Sequence, residues 1–270
     1  MKVLFLGEIT GRCGIGVIKY SLKQFREDNK VDFVIANAEG ATGGFGLGMG
    51  NAQSLRHMGI DVMTLGEKAF FKLDMAEGID KYDRVLRPAN YPEEAPGRGV
   101  RHFSAGDRRV CVINMLGMMG FNNPHLSNPF LYARTIAEKA KAETPFVFFM
   151  FHAQATAEKV AMGHYLDGLV SAVTGTHTKA LTADGSILEN GTAYISDLGR
   201  CGSSDSVGGF DPAPEIRKYS TGVPERSKEC WKAPQMQGLL CEFNDSTGLA
   251  TSVKTIRLDC TVPEMPQKEN

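Results

Sequence analysis

Little in this sequence pulls it toward a polyanion or a membrane. Its 30 lysines and arginines are offset by 31 aspartates and glutamates, a formal net charge of -1. No global field therefore favours nucleic acid or anionic lipid, and any phosphate chemistry must be local. No apolar run approaches the ~20 residues of a membrane span. The four-residue apolar run before Gly7 and Glu8 is too short for the core of a signal peptide. The expectation is a cytoplasmic protein with no membrane insertion and no general nucleic-acid binding. The six cysteines, Cys13, Cys111, Cys201, Cys230, Cys241 and Cys260, include no CxxC pair, so neither a zinc ribbon nor a disulfide framework is indicated. Internal repeats and low-complexity blocks are missing, and tryptophan occurs once, at Trp231. What remains is ordinary globular composition, 42% hydrophobic and 23% charged. A chain of 270 residues can bury one large α/β core, and 1–270 is read as a single domain.

Two apolar runs end on histidine. Residues 146–151 read as a buried strand delivering His152, and residues 170–175 as another delivering His177 among hydroxyls, with Lys179 just beyond. One histidine alone is more often a packed structural residue. Two strands that each end on one place neighbouring imidazoles on a sheet edge, and imidazole nitrogen is a common metal ligand.

The first part of the chain alternates strand and helix. Residues 2–6 are a strand, followed by Gly7, Gly11, Gly14 and Gly16 and a helix with Ile18, Leu22 and Phe25 on one face. Strand, glycine loop and helix is a phosphate-cradling order, although the spacing fits neither GxGxxG nor the P-loop. Strands at 31–36 and 61–65 follow, the first ending on Asn37, Glu39 and Gly40 and the second on Glu67 and Lys68. Carboxylates thus recur past the ends of three strands, at Glu8, Glu39 and Glu67. In an open α/β sheet those ends share the edge where ligands bind.

Later the pattern changes to hairpins at 100–116, 181–196 and 237–258, with helices at 73–79, 130–143 and 153–163. Residues 197–211 read as a polar glycine-rich loop in which Asp197, Asp205 and Asp211 are turn residues. Residues 212–234 receive no assignment, and the last residues read as a frayed tail. His57, His102, His125 and His164 are given packing or solvated roles. Strand-helix units followed by hairpins imply two packed sheets with helices outside.

On these residues the chain resembles the bacterial YmdB-like calcineurin-type metallophosphoesterases, described as 2′,3′-cyclic-nucleotide 2′-phosphodiesterases. The resemblance runs from the strand at 2–6 through Leu86-Arg-Pro-Ala-Asn-Tyr-Pro, Phe151-His-Ala-Gln-Ala-Thr, Gly175-Thr-His-Thr and Gly191-Thr-Ala-Tyr-Ile-Ser-Asp. It implies an α/β fold, a four-layer αββα sandwich of two mixed β-sheets flanked by helices. It also implies two metal ions, usually manganese or iron, bridged by a carboxylate. Family members read GDxxG where this chain has Gly7-Glu8-Ile-Thr-Gly11, and NxEN where it has Asn37-Ala-Glu39-Gly40. They read GNH at Gly66-Glu67-Lys68, which puts Lys68 at the general-acid position, and GTHTH at Gly175-Thr-His177-Thr-Lys179.

Glu8, Glu39, Gly40, Glu67, Lys68, His152, His177 and Lys179 are therefore the expected pocket, with Glu8, Glu39, Glu67, His152 and His177 as the only remaining metal ligands. Protonated Lys68 and Lys179 beside a divalent ion would repel it, so no cofactor is expected at full occupancy, the lysine ammoniums standing in for the metal charges. The leading expectation is a non-catalytic binding, regulatory or assembly protein that has lost its dinuclear centre. The alternative is a metal-dependent phosphodiesterase with an altered, mononuclear site holding one Mn or Fe ion. Partners consistent with these readings are a second copy of the chain, another protein, or a phosphorylated small ligand.

Overall fold

In the first strand, β1 (Lys2–Leu6), side chains alternate between two buried faces. Val3 and Phe5 point one way and Leu4 and Leu6 the other, all at 0% exposure. A strand apolar at four consecutive positions, Val3 to Leu6, must be covered on both sides. Here Val3 and Phe5 enter a core shared with a second sheet, while Leu4 and Leu6 enter one shared with helices.

The computed structural model describes residues 1–121, 124 and 126–263. His125 and the expected tail beyond residue 263 lie outside the described residues. After β1 come β2 (Glu8–Ile9), α1 (Gly11–Val17), a π-helical turn at Ile18–Leu22 and α2 (Lys23–Asp28). Then β3 (Phe33–Asn37), α3 (Met49–His57), β4 (Val62–Thr64), α4 (Leu73–Gly78) and β5 (Val85–Leu86) complete the strand-helix portion. The hairpin β6 (Val100–Ala105) and β7 (Arg108–Leu116) leads to α5 (Pro129–Glu143), β8 (Phe146–His152), α6 (Thr156–Tyr165) and β9 (Ala172–Thr176). The chain closes with β10 (Ser186–Ile187), β11 (Ala193–Ile195), β12 (Arg200–Ser203), α7 (Pro212–Thr221), β13 (Pro234–Phe243) and β14 (Ala250–Asp259).

One sheet has the order β2-β12-β13-β1-β3-β4-β5, with β14 paired to β13, and the other the order β10-β11-β9-β8-β7-β6. Both mix parallel and antiparallel pairs. Phe5, Phe33, Ile35, Phe148 and Met150 fill the space between the sheets, and Phe5 meets Phe148 edge-on at 5.4 Å. Ile18, Leu22 and Leu55 pack on the outer face of the first sheet, and Ala133, Ala137, Ala140 and Met162 on that of the second. The result is the αββα sandwich. Among the described residues no helix is long and apolar enough to cross a membrane.

Several local expectations change. Gly11 to Gly16 is not a phosphate-cradling loop, because α1 begins at Gly11 and its N-terminus is already occupied by Glu229. That carboxylate accepts from Arg12 N at 3.0 Å and Arg12 Nε at 2.7 Å, and a Cβ at Gly11 would overlap it. The stretch expected as a polar loop contains β12, paired parallel to β2 and antiparallel to β13. The unassigned stretch contains α7, whose start is capped by Asp211 accepting from Ala213 N. The hairpin expected at 181–196 contracts to the short β10–β11 pair.

Candidate metal centre

The strand ends determine what meets here. β1, β3 and β4 run parallel, so the residues that follow them emerge at one edge. β8 and β9 are parallel neighbours in the other sheet, with His152 in register with Thr176, so His177 is the next residue out. The two edges face each other across the sandwich. Glu8, Glu39 and His152 are buried at 1%, 0% and 1% exposure, while Glu67, Lys68, His177 and Lys179 are partly open.

His152 is the centre of the cluster. Its Nε2 lies 2.8 Å from Glu39 Oε2, 2.8 Å from Glu67 Oε2 and 3.1 Å from His177 Nδ1. One N–H can satisfy one of these, and Glu39 Oε2, although close, takes no well-directed hydrogen bond. On the other side of the ring, Nδ1 is 2.9 Å from Thr176 Oγ1 and 3.2 Å from Asn37 Nδ2. An Nδ1–H donating to Thr176 would leave Nε2 free as a ligand, the orientation that metal-bound imidazoles require. Glu67, His152 and His177 each offer a donor atom within 4.8 Å of the others. Glu39 is not in that group, although its Oε2 lies 2.8 Å from His152 Nε2.

Electrostatics follow from this crowding. Burial opposes charge on His152, but Glu39 and Glu67 outweigh it and lift its pKa to about 10. Burial likewise opposes the Glu67 carboxylate, and hydrogen bonds from His152 and His177 overcome it, holding Glu67 far below the usual carboxylate range. Lys68 is also desolvated, yet Glu39 and Glu67 raise its pKa, and its ammonium lies 2.5 Å from Glu67 Oε1. Its backbone N–H donates to Glu39 Oε1.

The eight expected pocket residues all border this cluster, which divides in two. Glu39, Glu67, Lys68, His152 and His177 gather around the imidazoles. Glu8 instead meets Lys179, Oε1 to Nζ 2.9 Å, with Gly40 packed against the same carboxylate. Among the described residues, the group with mutual metal-ligand spacing is Glu67, His152 and His177, which includes neither Glu8 nor Glu39.

Several neighbours carried little sequence signal. Thr176 and Asn37 orient His152, and Phe121 stacks on it with ring centroids 6.3 Å apart while meeting His177 edge-on at 4.9 Å. Asp197, expected to be a turn residue on a loop, is buried at 1% exposure and accepts from Thr178 N at 3.0 Å. It thereby braces a turn in which His177 and Lys179 both adopt positive φ, 106° and 59°. Asn37 ends the strand that leads into Glu39, a position that could have suggested its role, whereas Phe121 and Asp197 come from distant segments.

A family model described as YmdB-like protein matches residues 4–256. The 2′,3′-cyclic-nucleotide 2′-phosphodiesterase of Bacillus subtilis (strain 168) is 36% identical over 259 residues, 96% of this chain and 97% of that one. A structure of a hypothetical protein from Thermus thermophilus superposes with a TM-score of 0.89 at 30% identity, covering 97% of this chain and 100% of the other. The structure of a phosphatase from Mycoplasma pneumoniae gives 0.89 at 31% identity, covering 96% and 93%.

Proposed function

The chain belongs to the family of YmdB-like proteins, and from that premise we propose that it is a metal-dependent phosphodiester hydrolase whose ion is held by Glu39, Glu67, His152 and His177. The observation that carries this reading is the convergence of Glu39 Oε2, Glu67 Oε2 and His177 Nδ1 on His152 Nε2. Two carboxylates and two imidazoles are a donor set suited to manganese, iron or zinc. Glu39 Oε2 is buried without a well-directed hydrogen-bond partner, which leaves it available as a ligand. Relatives named as a phosphodiesterase and a phosphatase support hydrolysis over a chain that has lost its centre.

A divalent ion in this shell would supply Lewis-acid charge and a water acidified toward neutrality. The protein's own residues do the rest. Lys68 and Lys179 provide fixed positive charge for phosphoryl oxygens, and Thr176 and Asn37 hold the His152 ring. Phe121 packs against both imidazoles. Lys68 stands where the family carries its general-acid histidine, but Glu39 and Glu67 stabilise its charged form, so it is a poor proton donor. The site is therefore suited to phosphodiesters whose leaving oxygen departs without protonation.

The test is to strip the protein with chelator, reload it with manganese, and measure bound metal together with hydrolysis of bis(4-nitrophenyl) phosphate. Bound manganese and turnover, both lost in Glu39→Gln and His152→Ala, are expected. No metal and no turnover would sink the reading, leaving a binding or assembly protein.

A further inference from the structure

The half of the pocket around Glu8 already holds a cationic side chain. Lys179 Nζ lies 2.9 Å from Glu8 Oε1, an ion pair by distance although that oxygen takes no well-directed hydrogen bond, and the two side chains are 16% and 1% exposed. The backbone and stem of Lys179 are placed by neighbours. Arg200 Nη1 donates to Lys179 O at 2.7 Å, fixing the turn, and the Phe210 ring lies 5.9 Å from Nζ. Gly40 matters equally: a Cβ there would overlap Glu8 Oε1. The longer carboxylate at position 8 thus uses the volume that a side chain at position 40 would need. The family pattern has an aspartate, an asparagine and a histidine where this chain has Glu8, Gly40 and Lys179.

We propose that these three residues form one unit in which the Lys179 ammonium, anchored by Glu8 in the room left by Gly40, permanently occupies the second cation position of the site. The chain then takes one divalent ion, not two, and keeps a built-in phosphoryl-oxygen contact that no chelator removes. Formal charges agree with a monoanionic substrate. The carboxylates of Glu8, Glu39 and Glu67 against the ammoniums of Lys68 and Lys179 leave a single negative charge. One divalent ion turns that into a single positive charge, the complement of a phosphodiester, whereas a second ion would leave an excess without a matching charge. The one-ion count rests on the metal reading above, whereas the Glu8–Gly40–Lys179 unit does not.

Two measurements on the full chain test this. Gly40→Ala should lower Tm by roughly 5 °C in the native background, as overpacking against a buried carboxylate does. In a Glu8→Asp background the drop should be less than half as large, because the shorter side chain vacates the clash. Equal drops in both backgrounds would overturn the unit. Calorimetric titration of the metal-free protein with manganese should give one site per chain, and two sites in the Glu8→Asp/Gly40→Asn/Lys179→His triple variant. Two sites in the unmutated chain would overturn the proposal while leaving the hydrolase reading intact. No site there would sink the metal reading, and the Tm comparison would then decide whether the unit exists. If the triple variant does not fold, the unmutated stoichiometry and the Gly40→Ala comparison still decide.

Discussion

The ammonium of Lys159 lies 2.8 Å from Asp197 Oδ2, and neither residue is more than 2% exposed. The same carboxylate oxygen accepts from Thr178 N, between His177 and Lys179. This pair sits behind the strained turn that presents both site residues, and it links α6 to that turn.

Removing one partner of a buried ion pair strands the other charge, so Lys159→Met should cost about 3–5 kcal/mol of stability. Asp197→Asn should also be destabilising, because it strands the Lys159 ammonium even though the amide oxygen can still accept from Thr178. Both should weaken manganese binding, through the position of His177. Denaturant unfolding together with metal titration checks this. Unchanged metal affinity in a folded Lys159→Met would show that the pair supports the fold without aligning the ligand.

The chemistry at Lys68 should be visible in leaving-group dependence. An ammonium stabilised by Glu39 and Glu67 cannot readily protonate a leaving alkoxide. Aryl diesters should therefore be cleaved far faster than alkyl or ribosyl ones. Lys68→His should raise the rate on alkyl diesters by about 10²-fold and leave aryl diesters nearly unchanged. Equal acceleration of both classes would show that the substitution acts through charge and not through proton donation.

His102 predicts a pH effect on stability outside the site. Burial and then Arg109 depress its pKa below the usual 6.5, with Glu143 only partly opposing them, and its Nε2 has no hydrogen-bond partner. The unfolded chain takes up the proton near pH 6.5 and the folded chain only at lower pH. Stability should then fall as pH drops below about 6.5 toward the folded value, where the loss levels off. Thermal melts at about pH 7.5 and pH 5, on either side of the free imidazole pKa, should show a smaller acid-side decrease in His102→Gln than in the unmutated chain. Parallel decreases would assign the acid sensitivity to other groups.

Glu229 predicts a structural effect at α1. Its carboxylate supplies the anion at the helix start through Arg12 N and Nε. Glu229→Ala should cost about 1–2 kcal/mol by leaving those donors without their charged acceptor, and urea unfolding would measure it. A neutral result would mean that water replaces the carboxylate without loss.

Local pattern alone determined a good deal of this protein. Continuous short apolar runs such as 146–151, rich in aromatic and β-branched residues, read as strands covered on both faces, and alternation with helices makes the early strands parallel. Parallel strands bring Glu8, Glu39 and Glu67 to one edge, and two strands ending in histidine bring His152 and His177 to the facing edge. Resemblance to the family, read from the same residues, supplied the αββα layering. The sequence could not show how charges would pair, because that depends on distances of a few ångströms between segments far apart in the chain. Glu67 and Glu39 turn toward His152, whereas Glu8 turns toward Lys179. Only packing shows that Gly40 makes room for Glu8, that Glu229 fills the start of α1, and that Asp197 braces the turn carrying His177. Strand periodicity is a property of neighbouring residues and is written locally, but a site at the meeting of two sheets is a property of tertiary approach.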